Sequence, residues 1–215
     1  MSKREAFKEK LKGYLEASNA NPEKVQVWFW DESGFSMRVI RRKEWVKKGT
    51  RKKVTGQRRR GKVNVMGGVR YHDKKRMCFF SEQGNSISFY EQLENLDDFV
   101  KKEWIDQGNQ IEHYPDFGPK ILIILDNASY HKKREILEKI AKNLPNIQLY
   151  FLPPYSPDFN LAELVWHSAK EYIAHRLFKS VKDLQSLLNR LLNNGELIIN
   201  WNRKLKNKGN TVIAN

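Results

Sequence analysis

The sequence predicts a mixed α/β fold, in which one sheet of parallel and antiparallel strands carries helices on its faces. Short apolar runs of strand length come first and then alternate with longer stretches whose apolar residues recur at helical spacing. Two of the apolar runs each end in an aspartate, Asp31 and Asp126. Ligands of such sheets collect at the carboxyl ends of the strands, so we expect the two aspartates to face one crevice.

The N-terminal elements follow from the apolar pattern and its breaks. Phe7, Leu11 and Leu15 lie at helical spacing, which predicts a short amphipathic helix over residues 4–17. The predicted elements that follow are a strand over 25–31, a turn at Ser33-Gly34, a returning strand over 35–40, a basic segment over 41–62, and a hairpin of strands over 63–69 and 76–80.

The rest of the chain alternates helices with buried strands. A stripe of large apolar residues from Phe89 to Trp104 predicts a helix over 88–105. The remaining predicted elements are a loop over 113–119, strands over 121–126 and 147–152, and helices over 132–143, 161–178 and 181–193, the last ended by Gly195. We therefore expect one domain over 21–195, preceded by a helix and linker over 1–20 and followed by a tail over 196–215.

Composition narrows the class of protein. A length of 215 residues suits one large domain or one domain with an insertion, and a net charge of +15 points to a polyanionic partner. The single cysteine, Cys78, cannot form an internal disulfide, which favours a reducing compartment. No apolar run approaches the roughly 18 residues of a membrane span, and the N-terminus lacks the apolar stretch of a signal peptide. We expect a cytoplasmic protein.

Three sequence motifs surround three acidic residues. The first is Asp31-Glu32-Ser33-Gly34-Phe35, and the second is Leu125-Asp126-Asn127-Ala128-Ser129-Tyr130-His131. The third is Leu152-Pro153-Pro154-Tyr155-Ser156-Pro157-Asp158-Phe159-Asn160-Leu161-Ala162-Glu163. Together, over about residues 20–180, the motifs resemble those of the mariner-type DDE transposases, and more closely those of their bacterial insertion-sequence relatives. Trp166 and Lys170 fall where that family carries a tryptophan and a basic residue on its last catalytic helix.

The resemblance implies a ribonuclease H-like fold and metal-dependent DNA cleavage and strand transfer. Asp31, Asp126 and Glu163 would be the catalytic residues and would bind two Mg²⁺ ions, for which Mn²⁺ may substitute in this family. Members usually carry two small helix-turn-helix modules before the catalytic domain; because the first strand begins near residue 25, we expect this chain to be the catalytic domain alone. At Leu161 the chain departs from the family, in which proline is usual.

The three acids suit this chemistry, and each also has a simpler interpretation. Mg²⁺ prefers carboxylate oxygens, and a pair of ions about 3.5–4 Å apart stabilises both the attacking and the leaving oxygen. Asp31 could instead form a turn, and Asp126 could end its strand as a turn or helix cap. Glu163 could complete a capping box begun by Asn160. Glu32 is expected on the opposite face of the strand from Asp31, in a structural role.

A dense basic segment predicts contact with the DNA backbone. More than half of residues 41–62 are Lys or Arg, namely Arg41, Arg42, Lys43, Lys47, Lys48, Arg51, Lys52, Lys53, Arg58, Arg59, Arg60 and Lys62. The alternatives are a solvated loop and, as the resemblance implies, an insertion that bridges subunits. Lys170 could reach a phosphate. His131 could contact a phosphate, hold the loop near the metals, or cap the following helix.

Two classes of function remain open from the sequence. The first is a transposase catalytic domain that acts on double-stranded DNA, at both the element ends and the target, as a homodimer in the DNA complex and near the nucleoid. The second is a DNA-binding remnant that has lost catalysis. A related nuclease without strand transfer is a third, less favoured interpretation.

Overall fold

The computed structural model describes residues 3–40, 47–50 and 60–203. The helices are α1 (Lys3–Ala20), α2 (Ser86–Asp106), α3 (Tyr114–Phe117), α4 (Arg134–Asn143), α5 (Ala162–Tyr172) and α6 (Val181–Leu192). The strands are β1 (Val25–Ser36), β2 (Lys62–Arg70), β3 (Arg76–Ser81), β4 (Lys120–Leu125) and β5 (Ile147–Phe151). In this described part of the chain, no helix is both long and apolar enough to cross a membrane.

The five strands form one mixed sheet in the order β3-β2-β1-β4-β5. Strand β1 runs parallel to β4 and antiparallel to β2, β4 runs parallel to β5, and β2 and β3 form the predicted hairpin. The expected mixed α/β architecture is confirmed. The parallel pairing of β1 with β4 ends at Phe29 and Ile124, so the chain segments that follow in both strands emerge at the same edge.

The predicted turn at Ser33-Gly34, with a returning strand over 35–40, is wrong. Strand β1 continues unbroken through both residues, and Ser33 pairs with Val65 and Gly34 with Asn64 of β2. Ser-Gly is common in turns, but the long pairing with β2 overrides that local preference. A Cβ on Gly34 would overlap only the flexible end of the Lys62 side chain, so glycine here leaves room for that side chain.

Apolar side chains alternate along β1 and divide the interior into two cores. Trp28 and Trp30 belong to the core beneath α2 and α4, whereas Val27 and Phe29 belong to the core beneath α1, α5 and α6. Because successive side chains of a strand point to opposite faces, Asp31 lies on the face of Phe29 and Glu32 on the face of Trp30. The alternation therefore directs Asp31 toward α5.

Both ends of the described chain pack on the domain. In α1, Phe7, Leu11 and Leu15 are buried, and Phe7 stacks on Tyr150 of β5 with ring centroids 5.0 Å apart. At the other end, Leu197 and Ile199 are buried in the same core. The helix placed in a linker over 1–20 and the described start of the tail placed at 196–215 are thus parts of the folded unit.

Two further boundaries differ from the sequence prediction. The predicted loop over 113–119 contains the short helix α3. Helix α5 ends at Tyr172, before the predicted residue 178, and His175 then takes a left-handed backbone conformation with φ of 61°. A left-handed residue cannot continue a right-handed helix, so the chain turns there. Gly195, at φ of 80°, similarly reverses the chain beyond α6, which ends at Leu192.

Candidate active site

Three carboxylates reach one cleft from three elements. Asp31 lies within β1, Asp126 directly follows β4, and Glu163 lies in the first turn of α5. All three line a cleft of about 510 Å³, whose other wall is the proline-rich segment 152–157. The structure therefore brings together the three acids that the motifs single out, on neighbouring strands and the adjoining helix as expected.

Asn160 fixes the start of α5 against the sheet. Its side chain is buried, Nδ2 donates to the Trp30 carbonyl at 2.9 Å, and Oδ1 accepts from the Ala162 backbone N–H at 3.0 Å. The N-cap position of α5 is Leu161, without a side-chain cap, so the alternative capping box between Asn160 and Glu163 is not formed. The amide of Asn160 instead locates Glu163 relative to Asp31.

Asp31 sits in surroundings that oppose its negative charge. Its Oδ2 accepts a hydrogen bond of 3.1 Å from the indole Nε1–H of Trp166, one turn beyond Glu163 on α5. Burial, followed by the charge of Glu163, raises the pKa of Asp31 from 3.8 to about 7. Burial and the neighbouring carboxylate both disfavour the ionised form of Asp31, and a cation bound beside it would favour that form.

The surroundings of Asp126, in contrast to those of Asp31, favour its negative charge. The nearby imidazole of His131 is the largest influence and, together with the Ala128 N–H at 2.9 Å, holds the pKa of Asp126 below its usual value. Nδ1 of His131 lies 3.1 Å from Oδ1 of Asp126. The turn expected as a simpler role for Asp126 is present, because its carboxylate accepts from Ala128. The same contacts leave the acid ionised at the cleft.

Behind Asp126 lies a group of three side chains, Glu32, Tyr130 and His131, which we call the Glu32 cluster. Nε2 of His131 lies 3.6 Å from Oε1 of Glu32, and the Tyr130 hydroxyl donates to the same carboxylate. The imidazole is packed between Phe89 and Tyr130, with ring centroids 4.4 and 4.3 Å away. Burial would lower the pKa of His131, but the two carboxylates outweigh it and raise that pKa.

The burial of His131 bears on its predicted role in DNA contact. The residue is 3% exposed and faces Asp126 and Glu32, which favours the alternative that it holds the loop and orients Asp126. Sequence reasoning gave Glu32 only a general structural role and Tyr130 none. A signal was available, because Tyr130 and His131 follow Asp126 within one loop and Glu32 must point away from Asp31.

The basic segment lies only partly within the described residues. Of its predicted DNA contacts, Lys47, Lys48, Arg60 and Lys62 are described, and all four are exposed. Outside the described residues lie Arg41, Arg42, Lys43, Arg51, Lys52, Lys53, Arg58 and Arg59. Lys170 lies on α5 with Nζ 5.6 Å from the centre of the Phe35 ring.

Comparison with known proteins identifies a family that spans most of the chain. Residues 26–185 match the family described as DDE superfamily endonuclease. An uncharacterized protein of Sinorhizobium fredii (strain NBRC 101917 / NGR234), y4pE/y4sA, is 36% identical over 70 residues, which are 32% of this chain and 48% of the relative. This chain thus matches about half the length of that curated relative.

Among solved structures, the fold is similar to that of the Mos1 mariner transposase. The Mos1 strand transfer complex has a TM-score of 0.59 at 18% identity, covering 88% of this chain and 52% of the Mos1 chain. The Mos1 catalytic domain alone has a TM-score of 0.52 at 15% identity, covering 89% of this chain and 83% of that domain. The predicted ribonuclease H-like fold is confirmed. With the family match spanning most of its length, the chain belongs to the DDE superfamily endonucleases.

Proposed function

We propose that this chain is a transposase catalytic domain that cleaves DNA at element ends and transfers the cleaved strand to a target. The observation that carries the proposal is the convergence of Asp31, Asp126 and Glu163 on one cleft in a chain of this family. The similarity in fold to the Mos1 strand transfer complex supports strand transfer as the second step.

The donor set of the cleft fits divalent metal ions. Three carboxylates supply the hard oxygen ligands that Mg²⁺ and Mn²⁺ prefer, and the charges of Glu163 and Asp126 add to the rise that burial causes in the pKa of Asp31. Among the described residues, no three acidic, histidine or cysteine side chains are close enough to enclose an ion as they stand. Two ions held by the trio would stabilise charge on the attacking and leaving oxygens.

The residues around the trio would orient it and the DNA. Trp166 fixes one oxygen of Asp31, and His131 and Ala128 fix Asp126. In cleavage, a water oxygen forms a bond to phosphorus while the bond to the leaving sugar oxygen breaks. In strand transfer, a DNA 3′-hydroxyl replaces water as the nucleophile and releases its proton to solvent or to a neighbouring proton acceptor.

Duplex DNA is the proposed partner, held mainly by the basic segment 41–62, in a homodimer assembled on DNA. The net charge of +15 and the exposure of Lys47, Lys48, Arg60 and Lys62 support electrostatic binding to phosphates. A role of the same segment in bridging two subunits is the competing proposal. End-sequence recognition would belong to a separate helix-turn-helix module.

The test is single-turnover cleavage of a supercoiled plasmid in Mg²⁺ or Mn²⁺. We expect Asp31→Asn, Asp126→Asn and Glu163→Gln each to lower the rate by more than about a thousandfold, because each amide keeps the side-chain volume but loses a ligand charge. Asp116→Asn is the matched control, since Asp116 is an exposed acid on α3, which precedes the opposite end of β4. A variant of the trio that cleaves at the wild-type rate would remove that residue from the proposed ligands.

Two assays distinguish the alternatives. Metal-dependent nicking without joining of a pre-cleaved end to target DNA would identify a nuclease that lacks strand transfer. DNA binding without nicking, tested also with a helix-turn-helix module supplied in trans, would identify a non-catalytic remnant. The three intact acids favour catalysis over the remnant, because a remnant is free to lose any of them.

A further inference from the structure

Tyr155 stands at the edge of the acid-lined cleft with its ring in solvent. It lines the same cleft as Asp31, Asp126 and Glu163 and is 98% exposed. An exposed aromatic ring that borders the acid-lined cleft is available to contact a ligand bound there.

The backbone at Tyr155 adds an independent observation. Its φ of 55° is left-handed, and it follows Pro154 in a tight turn, where glycine or asparagine is the usual residue. A bulky side chain in this conformation costs about 1 kcal/mol relative to glycine. The ring is too exposed to recover that cost by packing against the described residues.

Arg4 of α1 contacts the segment that carries Tyr155 and holds it in place. Nη1 of Arg4 donates to Ser156 Oγ at 3.0 Å, and Arg4 also pairs with Asp158. Ser156 is buried, and the guanidinium of Arg4 lies 4.6 Å from the centre of the buried Phe159 ring. These contacts hold the backbone of the turn in place at the rim of the cleft, while the ring of Tyr155 stays in solvent.

We propose that Tyr155 stacks on an unpaired nucleobase of the DNA strand whose phosphate occupies the cleft. This inference rests on the proposed function, because it takes DNA as the substrate. Stacking uses the apolar face that every base has, so an aromatic ring can hold a base without reading its sequence. A base separated from its partner next to the cleaved phosphate would keep that phosphate beside the trio.

The experiment measures binding of a duplex with a single-stranded 3′ overhang that carries the fluorescent base aminopurine. Tyr155→Gly removes the ring and relieves the left-handed strain, whereas Tyr155→Phe keeps the ring. We expect wild type and Tyr155→Phe to quench the fluorescence. Tyr155→Gly should lose the quenching and bind the overhang about tenfold more weakly, with a melting temperature equal to or above that of wild type.

Phe117→Ala is the matched control, because Phe117 is 73% exposed and lies on α3, which precedes the opposite end of β4. It should bind and quench as wild type does. Wild-type quenching by Tyr155→Gly, or no quenching by wild type, would overturn the inference. A change in the oligomeric state of Tyr155→Gly without a change in its DNA binding would also overturn the inference, since the ring would then contact another protein subunit.

The outcomes separate this inference from the proposed function. Carboxylate-dependent nicking by wild type, together with unchanged binding and quenching by Tyr155→Gly, would leave the proposed function standing and remove the stacking role. If the quenching depends on the ring but the protein nicks DNA in no divalent metal, the stacking role would stand and the proposed function would be removed.

Discussion

The carboxylate of Asp126 is oriented from two sides, by the Ala128 N–H and by the imidazole of His131. His131 is in turn held by Glu32, which comes directly after Asp31 in β1 but points to the opposite face of the sheet. Neighbouring residues of one strand thus act on the cleft by different routes. Asp31 lines it, and Glu32 supports the second acid through a histidine.

At the residue scale we predict that Glu32→Gln weakens catalysis without unfolding the protein. Glutamine keeps the volume and an acceptor for Tyr130 but removes the charge that holds His131. Nicking should fall about tenfold and require more Mg²⁺ for its half-maximal rate, because partners of metal-binding side chains typically contribute tenfold or more. The measurement is a Mg²⁺ titration of plasmid cleavage, paired with thermal unfolding.

Glu82→Gln is the control for this prediction, since Glu82 is an exposed acid just beyond β3. It should leave the Mg²⁺ titration unchanged. If Glu32→Gln also gives a wild-type titration, the Glu32 cluster does not act on Asp126. If it instead lowers the melting temperature by many degrees, its role is in folding.

At the scale of elements, the position of Asp31 depends on how closely β2 and β3 pack. Asp31 pairs in register with Gly67 of β2, and Gly67 faces Cys78 of β3. A Cβ on Gly67 would overlap the backbone carbonyl of Met77, and a backbone atom cannot move aside as the end of a side chain can. Glycine is therefore required here for the close approach of β2 to the edge strand β3.

We predict that Gly67→Ala destabilises the domain by about 3 kcal/mol, because an added methyl group in a packed sheet forces the backbone apart. Gly13→Ala is the matched control. Gly13 lies in α1 with open space around it, so alanine there should stabilise by up to about 1 kcal/mol through helix propensity. Chemical unfolding of both variants measures the difference. Equal stability of Gly67→Ala and wild type would mean that β2 and β3 have room to separate.

At the scale of the whole molecule, the two cores support the sheet on both faces, and the net charge of +15 favours polyanionic partners. The core beneath α1, α5 and α6 draws on both ends of the described chain, from Phe7 to Ile199. The sheet that carries Asp31 is therefore held by residues remote in sequence. The net charge of +15 acts over a longer range than these packing contacts and is expected to dominate the encounter of the protein with DNA.

We predict that the chain binds duplex DNA with little sequence preference and with a steep dependence on salt. Replacing Arg58, Arg59 and Arg60 together by alanine should weaken binding to unrelated duplexes alike. It should also flatten the slope of log affinity against log salt by up to about three units. Fluorescence anisotropy over a salt series with two duplexes measures this.

The control for this prediction removes the same charge elsewhere. Lys24, Lys75 and Lys102 are exposed and lie just before β1, between β2 and β3, and near the end of α2. Their replacement by alanine should leave the slope closer to that of wild type. If the arginine variant keeps the wild-type affinity and slope, the basic segment does not contact DNA, and subunit bridging becomes the better account of it.

The sequence by itself determined which acids lie together and on what kind of sheet. Apolar runs that end at Asp31 and Asp126, and a helix that begins beside Glu163, are local patterns with a direct physical meaning, and the structure places all three acids on one cleft. The mixed sheet and its flanking helices followed from the same periodicity.

The tertiary structure alone decided features that depend on partners distant in the chain. Ser33-Gly34 reads as a turn, yet pairing with β2 keeps it extended. The burial of His131 comes from Phe89 and Glu32, and neither residue is near it in sequence. Tyr155 is exposed and left-handed in a turn whose next residue, Ser156, accepts a hydrogen bond from Arg4 of α1. Local propensity is worth less than about 1 kcal/mol per residue, so such long-range contacts decide the outcome.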